Sequence, residues 1–257
     1  MNEIHSTAVV APGAKIGEGA VIGPYCVIGP EVAIGAGTRL MAHVVIDGQT
    51  TLGESCTIFP FACLGTQTQD LKFRGGRTSV VIGDRTTLRE YVTVNAGTNE
   101  GEVTRVGSGC HIMAYCHVAH ACSVGDRVIM ANCATLAGEV TVEDDVVIGG
   151  LSGIHQFCRI GRMCIVGGMT KITQDCPPYM IVDGNPASVH GPNVVKLKRN
   201  NAPDETLQSL KKAFRLLYRE GLSTTDGLER IRAEVAGCVQ VDHLVRFIEA
   251  SERGIVK

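Results

Sequence analysis

Two imidazoles, His117 and His120, stand three residues apart and flank the aliphatic Val118. On an extended segment side chains alternate between faces, so an inward Val118 turns at least one of these rings outward. An exposed imidazole titrates near neutrality and can take and return a proton. A lone histidine on a strand ordinarily serves structure, but two within four residues point to acid–base work. A metal reading fares worse. His111, His117, His120 and His155 contain no His-x4-His pair of the kind a shared three-histidine zinc site uses. The eleven cysteines include no Cys-x-x-Cys pair, and their number is odd. Neither a zinc ribbon nor a disulfide framework is expected.

The elements that must position these histidines follow from a six-residue repeat. Stepping by six from Ile4 to Ile172 visits 29 positions, of which 26 are aliphatic or Met. At the usual ~45–50% apolar usage, roughly 14 would be expected. The next residue is often Gly, as at Gly17, Gly23, Gly29 and Gly35. The fourth residue after it is small or β-branched, and eight of the eleven cysteines (26, 56, 110, 116, 122, 158, 164, 176) occupy that slot. These thiols read as small buried hydrophobes. A deep aliphatic with a tight Gly corner every six residues describes one side of a parallel β-helix, three sides making a triangular coil of 18 residues. The repeat spans enough chain for nine to ten coils. Residues 18 apart then stack as rungs ~4.8 Å apart. His120, Gly138 and Gln156 share one column, and His117, Thr135 and Gly153 share another. A histidine beneath a glycine rung strengthens the acid–base reading.

The count fails at Asp70, Gly76 and Glu100, so the stretches 65–79 and 96–105 should loop outward, where insertions in solenoids tend to be functional. The repeat domain is expected over 1–190. Over 191–257, Leu207, Leu210, Phe214 and Leu217 recur at helical spacing, with Asp204 as cap and Gly221 as stop. Leu228, Ile231 and Val235 suggest a second helix, and Val241, Leu244 and Ile248 a third, making a small α-helical C-terminal domain.

Composition agrees and excludes other classes. There is no Trp, and Tyr and Phe number five and six, as suits an interior of stacked aliphatics. A net charge of −2 without a basic block argues against nucleic acid as partner. No 18-residue apolar run could span a membrane, and the start Met1-Asn2-Glu3-Ile4-His5 lacks a signal-peptide pattern, so a cytoplasmic location is expected.

Certain runs are more specific than the repeat. His117-Val118-Ala119-His120, Gly153-Ile154-His155-Gln156-Phe157-Cys158, Gln69-Asp70-Leu71-Lys72, Pro177-Pro178-Tyr179 and Asp183-Gly184-Asn185-Pro186 together resemble the UDP-N-acetylglucosamine 3-O-acyltransferases of lipid A biosynthesis. The resemblance covers the whole chain, including Tyr218 and Arg253-Gly254. It implies a homotrimer of left-handed β-helices with sites in the clefts between prisms. It also implies transfer of an (R)-3-hydroxyacyl group from acyl carrier protein to the sugar 3-hydroxyl, the first step of lipid A synthesis. No cofactor is implied, because the carrier-protein thioester is a co-substrate. His120 would match the general base and the Gly138 N–H the oxyanion donor. Asp70 and Lys72 would hold sugar and phosphate-type groups, and His117, His155 and Gln156 would line the substrate pocket. Asn193 and Arg199 would meet the nucleotide end, and Gly168 would leave the acyl groove open. The basic run Lys196-Leu197-Lys198-Arg199 would suit an acidic carrier protein.

Departures from the family pattern are Ala121 for the usual Asp, Glu139 for a His one rung higher, Asn95 for a His and Asn200 for an Arg. Ala121 and Glu139 are 18 apart, and Glu139 is expected to orient His120 in place of the missing Asp. Two alternatives stay open: the same transfer onto a 3-amino sugar, and a non-catalytic trimeric scaffold. The related N-acyltransferase carries an extra N-terminal domain, for which a repeat beginning at Ile4 leaves no room. Acyl length is not legible.

Overall fold

The computed structural model describes residues 2–257. Short strands recur along the chain and rotate through three sheets, three successive strands closing one triangular coil. The first face runs from Glu3–Ile4 to Met180–Gly184, the second from Val9–Val10 to Lys171–Ile172, the third from Lys15–Ile16 to Arg159–Ile160. They hold eleven, nine and eight strands; the eleventh of the first face, Ala187–Pro192, is antiparallel, which leaves ten parallel rungs there. The chain thus builds the parallel β-helix of nine to ten coils that its repeat foretold, left-handed as the resemblance implied.

The repeat works through two interior slots. Among its aliphatics, Ile22, Leu40, Ile58, Leu88, Ile112 and Leu136 are at most 2% exposed. Each such side chain contributes about 1.5–3 kcal/mol by leaving water. The small slot holds side chains that pack and also donate to a neighbouring coil. Cys116 and Cys122 Sγ donate to the carbonyls of Ala131 and Ala137 at 3.0 Å, and Thr86 Oγ1 does the same to Gly107 at 2.7 Å. All eleven cysteines are free thiols. Burial pushes Cys116 up to about 11 and Cys122 up to about 12, which keeps both thiols protonated and inert.

Above the loops, partners lie 18 apart: His117 pairs with Thr135, Thr135 with Gly153 and Gly153 with Lys171. Across them, Thr57 pairs with Thr87, thirty residues on, and Thr87 with His111, twenty-four on. The two insertions therefore add twelve and six residues, whole multiples of the repeat, which keeps the count in phase across them. They are shorter than the sequence suggests. Strands Cys63–Thr66, Ser79–Ile82 and Val103–Val106 claim the flanks, because Val80, Thr104 and Val106 turn inward and bury. The outward loops are 67–78 and 96–102.

One corner column bears a ladder of rings: Tyr25, His43, Phe61, Tyr91 and Tyr115 stack with centroids 4.8–5.0 Å apart. At the C-terminal end the strand hairpin Met180–Gly184 and Ala187–Pro192 closes the stack. Four helices follow: α1 (Val194–Arg199), α2 (Asp204–Tyr218), α3 (Thr224–Glu234) and α4 (Val239–Glu249). The repeat domain extends to Pro192, slightly past the expected boundary, because the reversing strand pairs with the prism. Helix α1 escapes the sequence reading, being only six residues long. Asp204 is the first helical residue rather than the cap, Pro203 taking that place without a side-chain bond, and α2 ends at Tyr218, before Gly221. The helices are clasped to the prism through His243 of α4, which bonds Tyr179 Oη at 2.9 Å and Glu143 Oε2 at 3.1 Å. Among the described residues no helix is long and apolar enough to cross a membrane.

Candidate active site

His120 lies in the turn after strand His117–Val118, where the second face gives way to the third. Its side chain is 16% exposed. The ring rests on Gly138, one rung above: a Cβ built there would fall 2.2 Å from His120 Nε2 and 2.3 Å from Cε1. Gly138 is therefore glycine because the imidazole occupies the place of its side chain. The Gly138 N–H donates to no group among the described residues. This turn slot lies outside the ladder of inter-rung bonds; elsewhere it is filled by Pro12, Pro24, Pro30 and Pro60, which have no N–H to leave unpaired. A free N–H beside an imidazole is the donor that a developing oxyanion needs.

Loop 67–78 brings a carboxylate to the same spot. Asp70 Oδ2 stands 3.8 Å from His120 Nε2. That is beyond hydrogen-bond length, so the Nε2 lone pair stays open to a hydroxyl proton while the charge can still steady an imidazolium. Asp70 is held in place by the Lys72 N–H on Oδ1 at 2.9 Å and by Thr98 Oγ1, which donates to Oδ2 at 3.4 Å. The Lys72 N–H, with help from His120 and Lys72, keeps the Asp70 carboxyl below its usual range despite desolvation. Lys72 itself is exposed. Thr98 comes from loop 96–102, which is braced by Glu102 accepting from the Thr98 and Asn99 N–H groups at 2.7 and 3.1 Å. Sequence reading flagged this loop but not Thr98 or Glu102, which only the folded loops bring to the site.

His117 turns outward on the second face, and its Nδ1 is bonded to Thr93 Oγ1 at 2.7 Å. Desolvation, reinforced by His120, lowers its pKa, so it stands neutral at neutral pH. Gln156 lies exposed in the column of His120, and His155 lies exposed beside it. Gly168 has neither a left-handed φ nor a crowding neighbour: an added Cβ would come no nearer than 3.4 Å to Gly150 O. Nothing in the chain itself asks for glycine there, which fits a groove kept open for another molecule. Arg199 is exposed at the end of α1.

Two expectations are corrected. Glu139 does not orient His120. It occupies the left-handed corner position, φ +61, which throws its side chain outward into a cleft shared with Arg159 and Arg253; only its backbone N–H reaches His120, on the carbonyl at 3.0 Å. His120 Nδ1 is buried without a hydrogen-bond partner among the described residues. Asn193 is not presented to a nucleotide. It is buried and caps α1, Oδ1 accepting from the Lys196 N–H at 3.2 Å and Nδ2 donating to Met163 O at 2.9 Å. Its work is to place α1. Asn200 closes the same helix, Nδ2 donating to Lys196 O at 2.8 Å.

Residues 175–256 match the family described as UDP N-acetylglucosamine O-acyltransferase, domain 2, and residues 1–30 and 104–138 match bacterial transferase hexapeptide repeats. The acyl-[acyl-carrier-protein]–UDP-N-acetylglucosamine O-acyltransferase of Thermodesulfovibrio yellowstonii is 48% identical, with 100% of each chain covered. That of Verminephrobacter eiseniae is 45% identical, again over 100% of both. The UDP-N-acetylglucosamine acyltransferase structure from Bacteroides fragilis superimposes with a TM-score of 0.96 at 36% identity, covering 99% of this chain and 100% of the other. Repeat, loop and histidine column converge with these likenesses: the chain belongs to the acyl-[acyl-carrier-protein]–UDP-N-acetylglucosamine O-acyltransferase family.

Proposed function

We propose that this protein moves an (R)-3-hydroxyacyl group from the thioester of acyl carrier protein to the 3-hydroxyl of UDP-N-acetylglucosamine, opening lipid A assembly. The observation that supports this most is the His120 ring lying against Gly138, whose N–H has no partner among the described residues. His120 Nε2 takes the proton of the 3-hydroxyl as that oxygen attacks the thioester carbonyl. The Gly138 N–H stabilises the resulting oxyanion, and Asp70 steadies the imidazolium. Collapse breaks the carbon–sulfur bond, and the departing thiolate takes the proton back from His120. Carrier protein, UDP-sugar and side chains suffice, with no cofactor. Lys72, Gln156 and Arg199 bind the sugar and nucleotide, and the basic face of α1 (Lys196, Lys198, Arg199) attracts the acidic carrier protein in the cytoplasm.

The working form is a homotrimer with sites between prisms. Supporting this, one corner carries an exposed apolar ridge, with Tyr115 58%, Leu151 65% and Met169 74% exposed. Light scattering should give a mass near three times 27.3 kDa; a monomer would overturn the assembly.

The activity is tested with His120→Ala, which should lower kcat by ~10²–10⁴-fold while KM for UDP-N-acetylglucosamine stays near wild type. Retention of half the wild-type kcat would remove His120 from the mechanism. Mass spectrometry of the product against the 3-amino sugar as rival acceptor settles whether an ester or an amide forms.

A further inference from the structure

Both insertions lie directly beneath His120. On the second face Leu64 pairs with Val94 and Val94 with Val118; on the third, Ser79 pairs with Val103 and Arg105 with Ser123. One corner therefore carries loop 67–78 on one rung, loop 96–102 on the next and the turn of His120 on the third. The upper two are tied together, the Ala121 N–H donating to Thr104 Oγ1 at 2.9 Å. Glu102, two residues before Thr104, stands half-buried at this junction. Its Oε2 accepts from the Thr98 and Asn99 N–H groups at 2.7 and 3.1 Å, and its Oε1 from Asn99 Nδ2 at 2.6 Å. Thr98 in turn gives its hydroxyl to Asp70 Oδ2 at 3.4 Å, and that oxygen stands 3.8 Å from His120 Nε2. Desolvation raises the Glu102 carboxyl, but the Asn99 amide, the Asn99 and Thr98 N–H groups and His120 outweigh it, so the group is ionised at neutral pH. Among the described residues no lysine or arginine pairs with it. A neutral carbonyl could accept the same N–H groups. The negative charge is thus surplus to bracing the loop, and His120 is the group that can use it.

We propose that Glu102 is a positioning residue of the reaction, whose charge acts on the imidazolium of His120 from the rung below while Asp70 acts from beside Nε2. The proposal rests on His120 being the general base. As the sugar oxygen bonds to the thioester carbonyl carbon, its proton passes to Nε2, and the ring stays a cation until the departing thiolate takes the proton back. A largely buried cation needs opposite charge close by. The other groups around the ring supply none. Ala121, next in the turn, has no carboxylate to give, and Glu139 turns outward into another cleft. His117, on the same strand, is held neutral by desolvation and by His120. Lys72 of loop 67–78 is exposed, and its charge bears on Asp70.

The test follows kcat and kcat/KM against pH in wild type, Glu102→Gln and the double variant Glu102→Gln/Ala121→Asp. Glutamine keeps a carbonyl for the loop N–H groups and removes only the charge; melting temperatures check that the loop holds. A nearby carboxylate favours the cation, so Glu102→Gln should move the acidic limb of the kcat/KM profile about half a pH unit lower. The plateau kcat should fall about threefold, with KM for UDP-N-acetylglucosamine unchanged. Ala121→Asp, at a left-handed position that aspartate tolerates, puts a carboxylate back beside the ring and should return both limb and kcat toward wild type. A loss of kcat with the limb unmoved and no rescue by Ala121→Asp would make Glu102 a brace alone and overturn the proposal. So would a Glu102→Gln profile that superimposes on wild type. A His120→Ala variant that keeps the wild-type acidic limb would instead sink the reading of His120 as base.

Discussion

At the corner where the third face meets the first, Arg127 donates from Nε and Nη2 to both oxygens of Asp145 at 3.0 and 2.9 Å, and Arg162 stands 3.6 Å from the same carboxylate. Asp144 Oδ1 accepts from the Asp126 N–H of the rung below at 2.9 Å. At the corner where the second face meets the third, the same turn carries His120 and Gly138. There, among the described residues, Nδ1 has no partner, Nε2 stops short of Asp70 at 3.8 Å, and the Gly138 N–H makes no bond. The backbone positions its residues identically in both. The difference lies in whether the polar groups satisfy one another: a satisfied corner stabilises, and an unsatisfied one keeps its bonding capacity for a substrate.

This contrast can be broken by experiment. The largest effect is expected from Gly138→Ala, whose methyl would displace the imidazole; kcat should fall ~10²–10³-fold with little change in melting temperature. A kcat within about twofold of wild type would show that ring and glycine are not a working pair. Asp145→Asn should do the reverse, costing about 1–3 kcal/mol of stability by depriving Arg127 of its carboxylate, with kcat per folded molecule unchanged. Loss of turnover without loss of stability would mean that this corner also serves the reaction. The smallest effect concerns pH. Desolvation raises the Asp145 carboxyl, but Arg127 outweighs it and holds the group below its usual range. Its contribution is therefore present at neutral pH and is lost as pH falls through that lowered value. The stability gap between wild type and Asp145→Asn, followed by thermal melts, should narrow on acidification; a constant gap would place the stabilisation elsewhere.

Most of the prism could be read from Ile4 to Ile172, because a period of six with one inward aliphatic admits a single closed shape. The stacking of His120, Gly138 and Gln156 followed from the same arithmetic. What could not be read was pairing. Asp70 meets His120 only because two loops, far apart in sequence, fold toward one corner, and Thr98 and Glu102 brace it for the same reason. Glu139 misled because column arithmetic gives the height of a side chain and not its heading, which the left-handed corner sets outward. Asn193 misled because a capping side chain and a binding side chain are the same residue type until the helix it starts is seen.

The strand reversal at Ala187–Pro192 also determines how such a molecule can change length. A stack of identical coils is a one-dimensional crystal, and its upper face would template a further layer of the same polarity. Here the last layer runs antiparallel to Met180–Gly184 and offers the opposite hydrogen-bonding polarity, as a chain terminator does in polymer growth. Beneath that stop, material can enter in whole layers or as loops measured in multiples of six, as the two insertions are. Extra length kept within the wall at any other increment would move the later aliphatics off their inward slot.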